Sequence, residues 1–349
     1  MTPETQMKHI GMDVHSTTTR ISVFSDRGRE IKNTRVSTEE ADLVGFLLKI
    51  PGPKQVALEE SQMADFVTRM IQPHVVKVIR CLPQHNRLIS ESEKKCDRED
   101  AKALAELLYL GKLKSVHHSP WEYRQLREGV RAYWKASRDL ASAKSRLKAF
   151  YLFNGVHCAG EKVYSKRYRE KWIQQLVRRS GNARLLERRY AQMDFFRDNK
   201  GEHGKILKEL AKPVERHVQC LKSHPGIGFI GACSLAAYLE DGWRLKNKRK
   251  LWQYCGVGMR FHTSNEKGHC GATRKGNRLV KNVVFTAAAA IASRRNADNA
   301  LTRMWRAGVE AGIKPDRLKR NLARKVAVLA QRALRFKEEY DDDRVVTTQ

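Results

Sequence analysis

Four carboxylates stand where carboxylates are costly unless something uses them. Asp13 lies inside the apolar run Ile10-Gly11-Met12-Asp13-Val14, and an acid within an apolar strand is unfavourable unless it is paired or binds a cation. Glu59 closes the run Val56-Ala57-Leu58-Glu59, and Asp97 and Asp100 stand three apart at the head of a helical pattern. That spacing projects both from one side of the helix, at the end where the helix dipole favours negative charge. Carboxylates brought together repel one another, and a divalent cation removes the repulsion. Hard oxygen ligands favour Mg2+ (or Mn2+) over zinc. A pair of such ions activates an attacking oxygen and stabilises a leaving one in phosphoryl transfer. Taken singly, Asp97 and Asp100 read as well as helix-capping acids, and Glu59 and Glu60 as the solvated end of a strand. Asp13 has few structural uses.

A second group of residues lies far along the chain. Pro225-Gly226-Ile227-Gly228, between apolar flanks, resembles the helix-hairpin-helix element of DNA-processing proteins, in which backbone N–H groups of a Gly-rich turn meet a DNA phosphate and read no base. The plain alternative is a Pro-Gly turn. Beyond it come Tyr254-Cys255-Gly256-Val257-Gly258, Thr263-Ser264-Asn265 and Gly271-Ala272-Thr273-Arg274-Lys275-Gly276-Asn277-Arg278. Glycine-rich loops with Arg and Lys wrap phosphates through backbone and side-chain donors. A serine in such a loop can attack phosphorus if its proton is removed and the developing charge is stabilised, although most serines in polar loops are merely solvated. Cys255, His262, His269 and Cys270 raise zinc as a reading, but their spacing fits no standard ligand pattern.

The elements that must position these groups follow from periodicity. His9 to Val14, Arg20 to Phe24 and Glu30 to Val36 read as strands, with a turn at Asp26-Arg27-Gly28, and three in a row predict an antiparallel meander. Ser37 to Leu48 reads as a helix capped by Ser37 or Thr38. Val56 to Glu59 is a buried strand, Ala64 to Ile71 a helix and Val75 to Leu82 a further strand, so residues 1–118 predict helices covering a mixed sheet. Asp97 to Leu110 is helical. After Pro120, Leu126, Tyr133, Leu140 and Leu147 recur every seven residues, and Gly129, Ala136, Ala143 and Phe150 do so three positions on. This is a coiled-coil-like seam on a long helix. A second helical stretch, about Lys166 to Lys212 with breaks near Gly181 and Gly201, pairs with it as an antiparallel hairpin, either as a local helical subdomain or as a dimerising arm. These stretches make residues 119–215 a helical coiled-coil region. Residues 216–349 read as a mostly helical domain, ending in a helix from Pro315 to about Phe336 with a mainly basic outer face. The fold class is thus α/β plus α.

The chain has 349 residues, with 68 Lys+Arg against 38 Asp+Glu, a net charge of +30. That excess calls for a polyanion, and nucleic acid is the first candidate. Trp243 to Lys281 alone holds eleven Lys/Arg and one acid, Glu266. No apolar run reaches the roughly 18 residues of a membrane span, and no basic segment followed by an apolar run opens the chain, so no secretory leader is expected. Seven scattered cysteines without a CxxC pair point to a reducing cytoplasm rather than to a disulfide scaffold. No internal repeat is evident.

The strand order and acid placement resemble the RNase H fold as used in RuvC-like nucleases, in which a first-strand Asp, a later-strand Glu and acids on a following helix build a metal site. Taken together, Asp13, Glu59, Asp97-x-x-Asp100-Ala101, a long helical insert, Pro225-Gly226-Ile227-Gly228, Ser264 and Arg274-Lys275-Gly276-Asn277-Arg278 resemble the DEDD-type insertion-sequence transposases, also described as bridge-RNA-guided recombinases. The likeness runs from about residue 8 to 293. It implies a RuvC-like domain (1–118) holding Mg2+ through Asp13, Glu59, Asp97 and Asp100, and a transposase domain (216–349) whose Ser264 attacks a DNA phosphodiester to form a phosphoserine intermediate. It further implies a guide RNA encoded by the element that pairs with donor and target DNA. The helical insert would support a homodimer, and two dimers a tetramer, with the acids of one subunit facing the serine of another. The nucleic-acid contacts so implied are Gly226, Gly228, Arg260, Arg274, Lys275, Asn277 and Arg278, and the location a prokaryotic cytoplasm, on the nucleoid when bound to DNA. Within this pattern Glu59 is preferred to Glu60, because Ser61 then falls where the family carries a small hydroxyl residue two after its acid. Three positions depart from the family pattern: Met259 replaces a Pro before the serine, Asn265 a Gly after it, and Gln62 a Gly after the acid motif. Thr263 therefore stays a rival to Ser264.

Two other functions share parts of this sequence. A RuvC-like junction resolvase needs the four acids and the basic charge but has no use for Ser264. A non-enzymatic RNA-binding protein needs only the charge and leaves Asp13 unexplained.

Overall fold

Alternating apolar residues fold the N-terminal segment into β1 (Lys8–Val14), β2 (Thr18–Phe24) and β3 (Glu30–Ser37), an antiparallel meander. The computed structural model describes residues 6–82, 97–179, 181–264, 267–272, 276–293 and 298–346, the backbone alone at 260–264 and 267–272. After α1 (Glu40–Leu48) the chain returns as β4 (Lys54–Glu59), parallel to β1. It then crosses through α2 (Ala64–Ile71) to β5 (Lys77–Cys81), parallel to β4. The sheet order β3-β2-β1-β4-β5 is the mixed sheet expected from the sequence. Parallel neighbours require a crossover, and the intervening helices supply it. The helix cap differs from expectation. Thr38 does not cap α1; its hydroxyl donates to the His15 carbonyl (3.0 Å), and its N–H bonds the Thr17 carbonyl (3.0 Å). Glu39 occupies the cap position, and Thr38 instead ties down the β1–β2 turn.

The two faces of the sheet are covered differently, as the period-two alternation of strands dictates. Ile10, Met12, Val56 and Leu58 pack with Leu43, Leu47, Val67 and Ile71 of α1 and α2. The other face carries Gly11, Ala57 and Cys81, against which α3 (Asp97–Tyr109) lays Leu104, Leu107 and Leu108. At Gly11 the helix backbone comes so close that a Cβ would stand 2.0 Å from the Ala101 carbonyl oxygen and 2.5 Å from the Ala105 nitrogen.

The chain divides into two compact units, Met1–His118 and Ser119–Gln349. In the second, α4 (Trp121–Phe153) and α6 (Ala183–Ala211) pair as an antiparallel hairpin, with the short α5 (Arg169–Val177) between them. The pairing is antiparallel because Gly129 meets Leu207 and Leu210, Tyr133 meets Gly204, and Tyr151 meets Tyr190. The phenol hydroxyls of Tyr151 and Tyr190 are hydrogen-bonded at 2.9 Å, and Tyr190 also donates to the Val163 carbonyl at 2.9 Å. The seam runs as anticipated through Leu126, Gly129, Ala136, Ala143 and Leu147, with Tyr123, Val130 and Tyr151 added. The expected break at Gly201 does not occur; α6 runs through it. A glycine inside a helix costs only about 1 kcal/mol, which a packed seam offsets.

The base of α4 packs on α8 (Phe229–Leu239), a helix whose residues from Ala232 to Leu239 are all buried. Trp134 donates to Ser234 (3.1 Å), and Arg127 to the Ala237 carbonyl (3.0 Å) and to Glu240 (3.1 Å). Glu240 is almost wholly buried, accepts from Ser119 (2.6 Å) and has a left-handed φ of 58°. Around α8 stand α7 (Glu215–Lys222), α9 (Lys248–Tyr254), α10 (Arg278–Ala292), α11 (Ala300–Glu310) and α12 (Pro315–Phe336), with α13 (Asp342–Val346) last. Between α9 and α10 lies a two-stranded hairpin, β6 (Met259–Ser264) and β7 (Lys267–Ala272), where the sequence read as loop. No helix among the described residues is long and apolar enough to cross a membrane.

Two stability effects follow. Gly11→Ala forces α3 off the sheet and lowers the unfolding free energy of the N-terminal unit by about 1–3 kcal/mol, measurable by denaturant unfolding. His224, at the α7–α8 turn, is buried and bonded to the Cys220 carbonyl (2.8 Å). Burial holds its imidazole below its ordinary 6.5, so below that pH the unfolded chain takes up a proton that the folded chain resists. Stability therefore falls on acidification, by up to about 1.4 kcal/mol per pH unit. Thermal midpoints at pH 7.5 and 5.5 test this, with His224→Gln reducing the pH dependence.

Candidate active site

The end of β1 and the start of α3 bring together three side chains of the N-terminal unit. Asp13 and Asp97 offer carboxylate oxygens, and His15 a ring nitrogen, all within 4.8 Å of one another. His15 Nε2 lies 3.1 Å from Asp13 Oδ2 and 3.8 Å from Asp97 Oδ1, and Arg35 Nη2 lies 3.2 Å from Asp97 Oδ2. The Asp13 side chain is only 16% exposed, against 45% for Asp97. Burial pushes its carboxyl above the usual range; His15 pulls it back, and the charges of Asp97 and Asp100 push it further up. That field is the repulsion a divalent cation would relieve.

The folding logic is local and simple. Gly11 and Asp13 share the α3 face of β1, so the contact at Gly11 sets the helix start beside Asp13. Asp13, Arg20 and Arg35 are directly opposite one another across β1, β2 and β3, which lays two arginines beside the acid. Arg20 Nε donates to Asn33 (2.7 Å), and Arg35 reaches Asp97.

Glu59 stands one residue beyond the Met12–Leu58 pair of β1 and β4, opposite Cys81 on β5. Two residues from Ala57, it belongs to the α3 face, and its charge helps burial to push the Cys81 thiol up to about 12. Glu60 takes the other face, where its carboxylate lies 3.1 Å from Arg80 Nε; Arg80 also pairs with Asp65 of α2. Glu59 and Asp100 are not members of the 4.8 Å group, though Asp100 acts on Asp13 through its charge. The donor set fits magnesium or manganese, which take carboxylate oxygens first.

Sequence reasoning missed His15 and Arg35. His15 carried a signal, since it lies two residues beyond Asp13. Arg35 carried none, since only sheet pairing brings it to Asp97.

The C-terminal unit holds the other predicted residues. Gly226 has φ +77°, and a Cβ there would lie 2.5 Å from the Ala287 carbonyl oxygen, so the turn requires glycine. Gly228 caps α8 in extended conformation, with open space where its Cβ would be. Ser264 ends β6 opposite Lys267, Thr263 pairs with Gly268, and Arg260 pairs with Gly271. Arg274 and Lys275 lie outside the described residues. Asn277 caps α10, accepting from the Leu279 and Val280 N–H groups (3.0 and 3.2 Å), and Arg278 opens that helix, exposed. Cys255 is wholly buried, and burial pushes its thiol up to about 12.

Residues 10–153 match the DEDD transposase family of IS110 type, and residues 218–303 match the family described as Transposase IS116/IS110/IS902. The chain belongs to the IS110-type DEDD transposases. It is also 22% identical over 291 residues to the transposase for insertion sequence element IS1111A of Coxiella burnetii (strain RSA 493 / Nine Mile phase I), covering 82% of this chain and 78% of that one. This transposase therefore acts on DNA, and the first family match contains Asp13, Glu59, Asp97 and Asp100, while the second contains the Gly226 turn and the β6–β7 hairpin.

Asp13→Asn and Asp97→Asn are each expected to weaken Mn2+ binding at least about tenfold, with Glu60→Gln unchanged, as read by water-proton relaxation of the Mn2+-titrated protein.

Proposed function

We propose that this transposase cuts and rejoins DNA through a covalent serine ester, with a carboxylate-held divalent cation and an element-encoded guide RNA. The observation that carries the reading is the approach of Asp13 and Asp97 at the end of β1, with Asp100 in the same field and Glu59 on the same sheet face, in a chain of this family. Asp13, Glu59, Asp97 and Asp100 would hold Mg2+ or Mn2+, which neutralises charge on a reacting phosphate.

Ser264 is the nucleophile of this reading, with Thr263 its rival. Its hydroxyl oxygen attacks the phosphorus, the hydroxyl proton passes to a base, the Oγ–P bond forms and one P–O bond to the sugar breaks. The released sugar oxygen takes a proton. A hydroxyl from another strand then attacks the same phosphorus, frees the serine and restores a phosphodiester. Bond energy is conserved in the ester, so joining needs no high-energy cofactor. A hydrolytic nuclease gives up that energy to water, and Ser264 would then have no role.

The turn Pro225–Gly228 acts in this scheme as a helix-hairpin-helix element, Gly226 and Gly228 offering N–H groups to a DNA phosphate. Arg260, Arg274, Lys275, Asn277 and Arg278 would contact nucleic acid around the serine. Residues 1–118 serve as the metal-holding domain, 119–215 as the dimerising hairpin and 216–349 as the serine domain, with dimers assembling to a tetramer. A net charge of +30 supports binding of RNA together with DNA, and guided base pairing would leave the protein to read shape and backbone.

Ser264→Ala is expected to abolish denaturant-resistant protein–DNA adducts while DNA affinity stays within about twofold of wild type. An adduct that survives Ser264→Ala but not Thr263→Ala moves the nucleophile by one residue. Metal-dependent cleavage without any adduct in the wild type favours the resolvase reading. RNA sequenced from protein expressed with its native flanking DNA tests the guide, which requires one discrete species.

A further inference from the structure

The helix α12 lies beyond both segments that match the family, yet it lines a strongly basic groove. One face of α12 is core, with Leu318, Leu322, Val326 and Leu329 buried. On the other, Arg317, Arg320 and Arg324 recur at spacings of three and four, so they line one side of the helix. With Lys314 they wall a groove of about 720 Å³ that also touches Met259, the first residue of β6, and Asp316.

Three features make this groove more than a solvated face. First, among the described residues no carboxylate lies within ion-pair distance of Lys314, Arg317 or Arg320, although Asp316 lines the same groove. Second, two of the guanidinium groups are held in place. Arg324 Nε donates to the Val257 carbonyl (2.8 Å), with its guanidinium 5.5 Å from the Trp252 ring, and Arg320 Nη1 lies 3.7 Å from the Met259 sulfur. A fixed guanidinium loses less entropy on binding phosphate and presents paired donors to it. Third, the N-terminal end of a 22-residue helix opens into the groove, and that end of the helix dipole is positive.

We propose that this groove seats the phosphodiester backbone of the DNA substrate, with Arg320 and Arg324 at its base and Lys314 and Arg317 at its rim. The occupant is DNA because the family acts on DNA, and because Lys314, Arg317 and Arg320, without a carboxylate partner among the described residues, match a polyanion and discriminate against an acidic peptide with fewer charges. The groove meets the backbone, which carries no sequence information, so it adds affinity uniformly across DNA sequences.

The test is the salt dependence of binding by the full chain. Lys314→Gln/Arg317→Gln/Arg320→Gln is compared with wild type and with a control, Lys171→Gln/Arg184→Gln/Lys208→Gln, which removes three exposed cations elsewhere in the same unit. The probe is a mixed-sequence DNA duplex titrated at several salt concentrations, with a duplex RNA in parallel. The groove variant, at unchanged thermal midpoint, should lower the slope of log K against log salt by about 2–3, near 0.9 for each phosphate that is no longer neutralised. The control should change it by less than about one. An unchanged slope in the groove variant, or an equal drop in the control, overturns the proposal. A drop for RNA with DNA unaffected also overturns it and gives the groove to RNA. The single variants should each lower the DNA slope by about one if the triple variant loses stability.

Discussion

The backbone of α3 rests on a strand position that has no side chain, and the rest of the N-terminal unit is arranged around that contact. A Cβ at Gly11 would stand 2.0 Å from a helix carbonyl, so the closeness of helix and sheet depends on that one hydrogen-for-methyl difference. Asp13, two residues on, and Asp97, at the helix start, then meet as a geometric consequence. The electrostatic repulsion of that meeting is offset by His15 and Arg35. Leu104, Leu107 and Leu108 supply the apolar burial that holds the helix down. The site is therefore built on a strand and a helix, the rigid elements on which side-chain positions are best defined.

Much of this was legible in the sequence, and for identifiable reasons. The order of strands and helices along the chain, the opening meander and the mixed sheet followed from alternation and periodicity, while the order of strands within the sheet came only with the pairing. Asp13 stood out because an acid inside Ile-Gly-Met-Asp-Val costs free energy that few structural roles justify. The choice of Glu59 over Glu60 became physical only with the register, which puts Arg80 opposite Leu58 and so beside Glu60. Arg35 was invisible, because its partner is 62 residues away and joined to it only by strand pairing and the fall of α3. The β6–β7 hairpin was invisible for a different reason. Its strands, rich in Gly, His, Thr and Ser, lack the apolar alternation that marks a half-buried sheet.

A chain with 68 basic and 38 acidic residues cannot neutralise its cations with carboxylates, and the helical hairpin shows what it does instead. Lys148 lies over the Tyr164 ring at 5.1 Å, Arg189 over Phe150 at 4.7 Å and Lys200 over Tyr133 at 5.5 Å. Aromatic faces attract cations without cancelling their charge. The fold thus organises its positive residues while leaving the net field intact for a polyanion.

The paired hydroxyls of Tyr151 and Tyr190 settle how the hairpin knows its own length. A seven-residue seam is nearly indifferent to sliding by one repeat, since small and apolar residues recur along it. Sliding α4 past α6 would part the two phenols and leave the buried Tyr151 hydroxyl without its partner, at about 1–3 kcal/mol. The tyrosines act as a detent, so that one alignment of the two helices is selected among several that would pack almost as well.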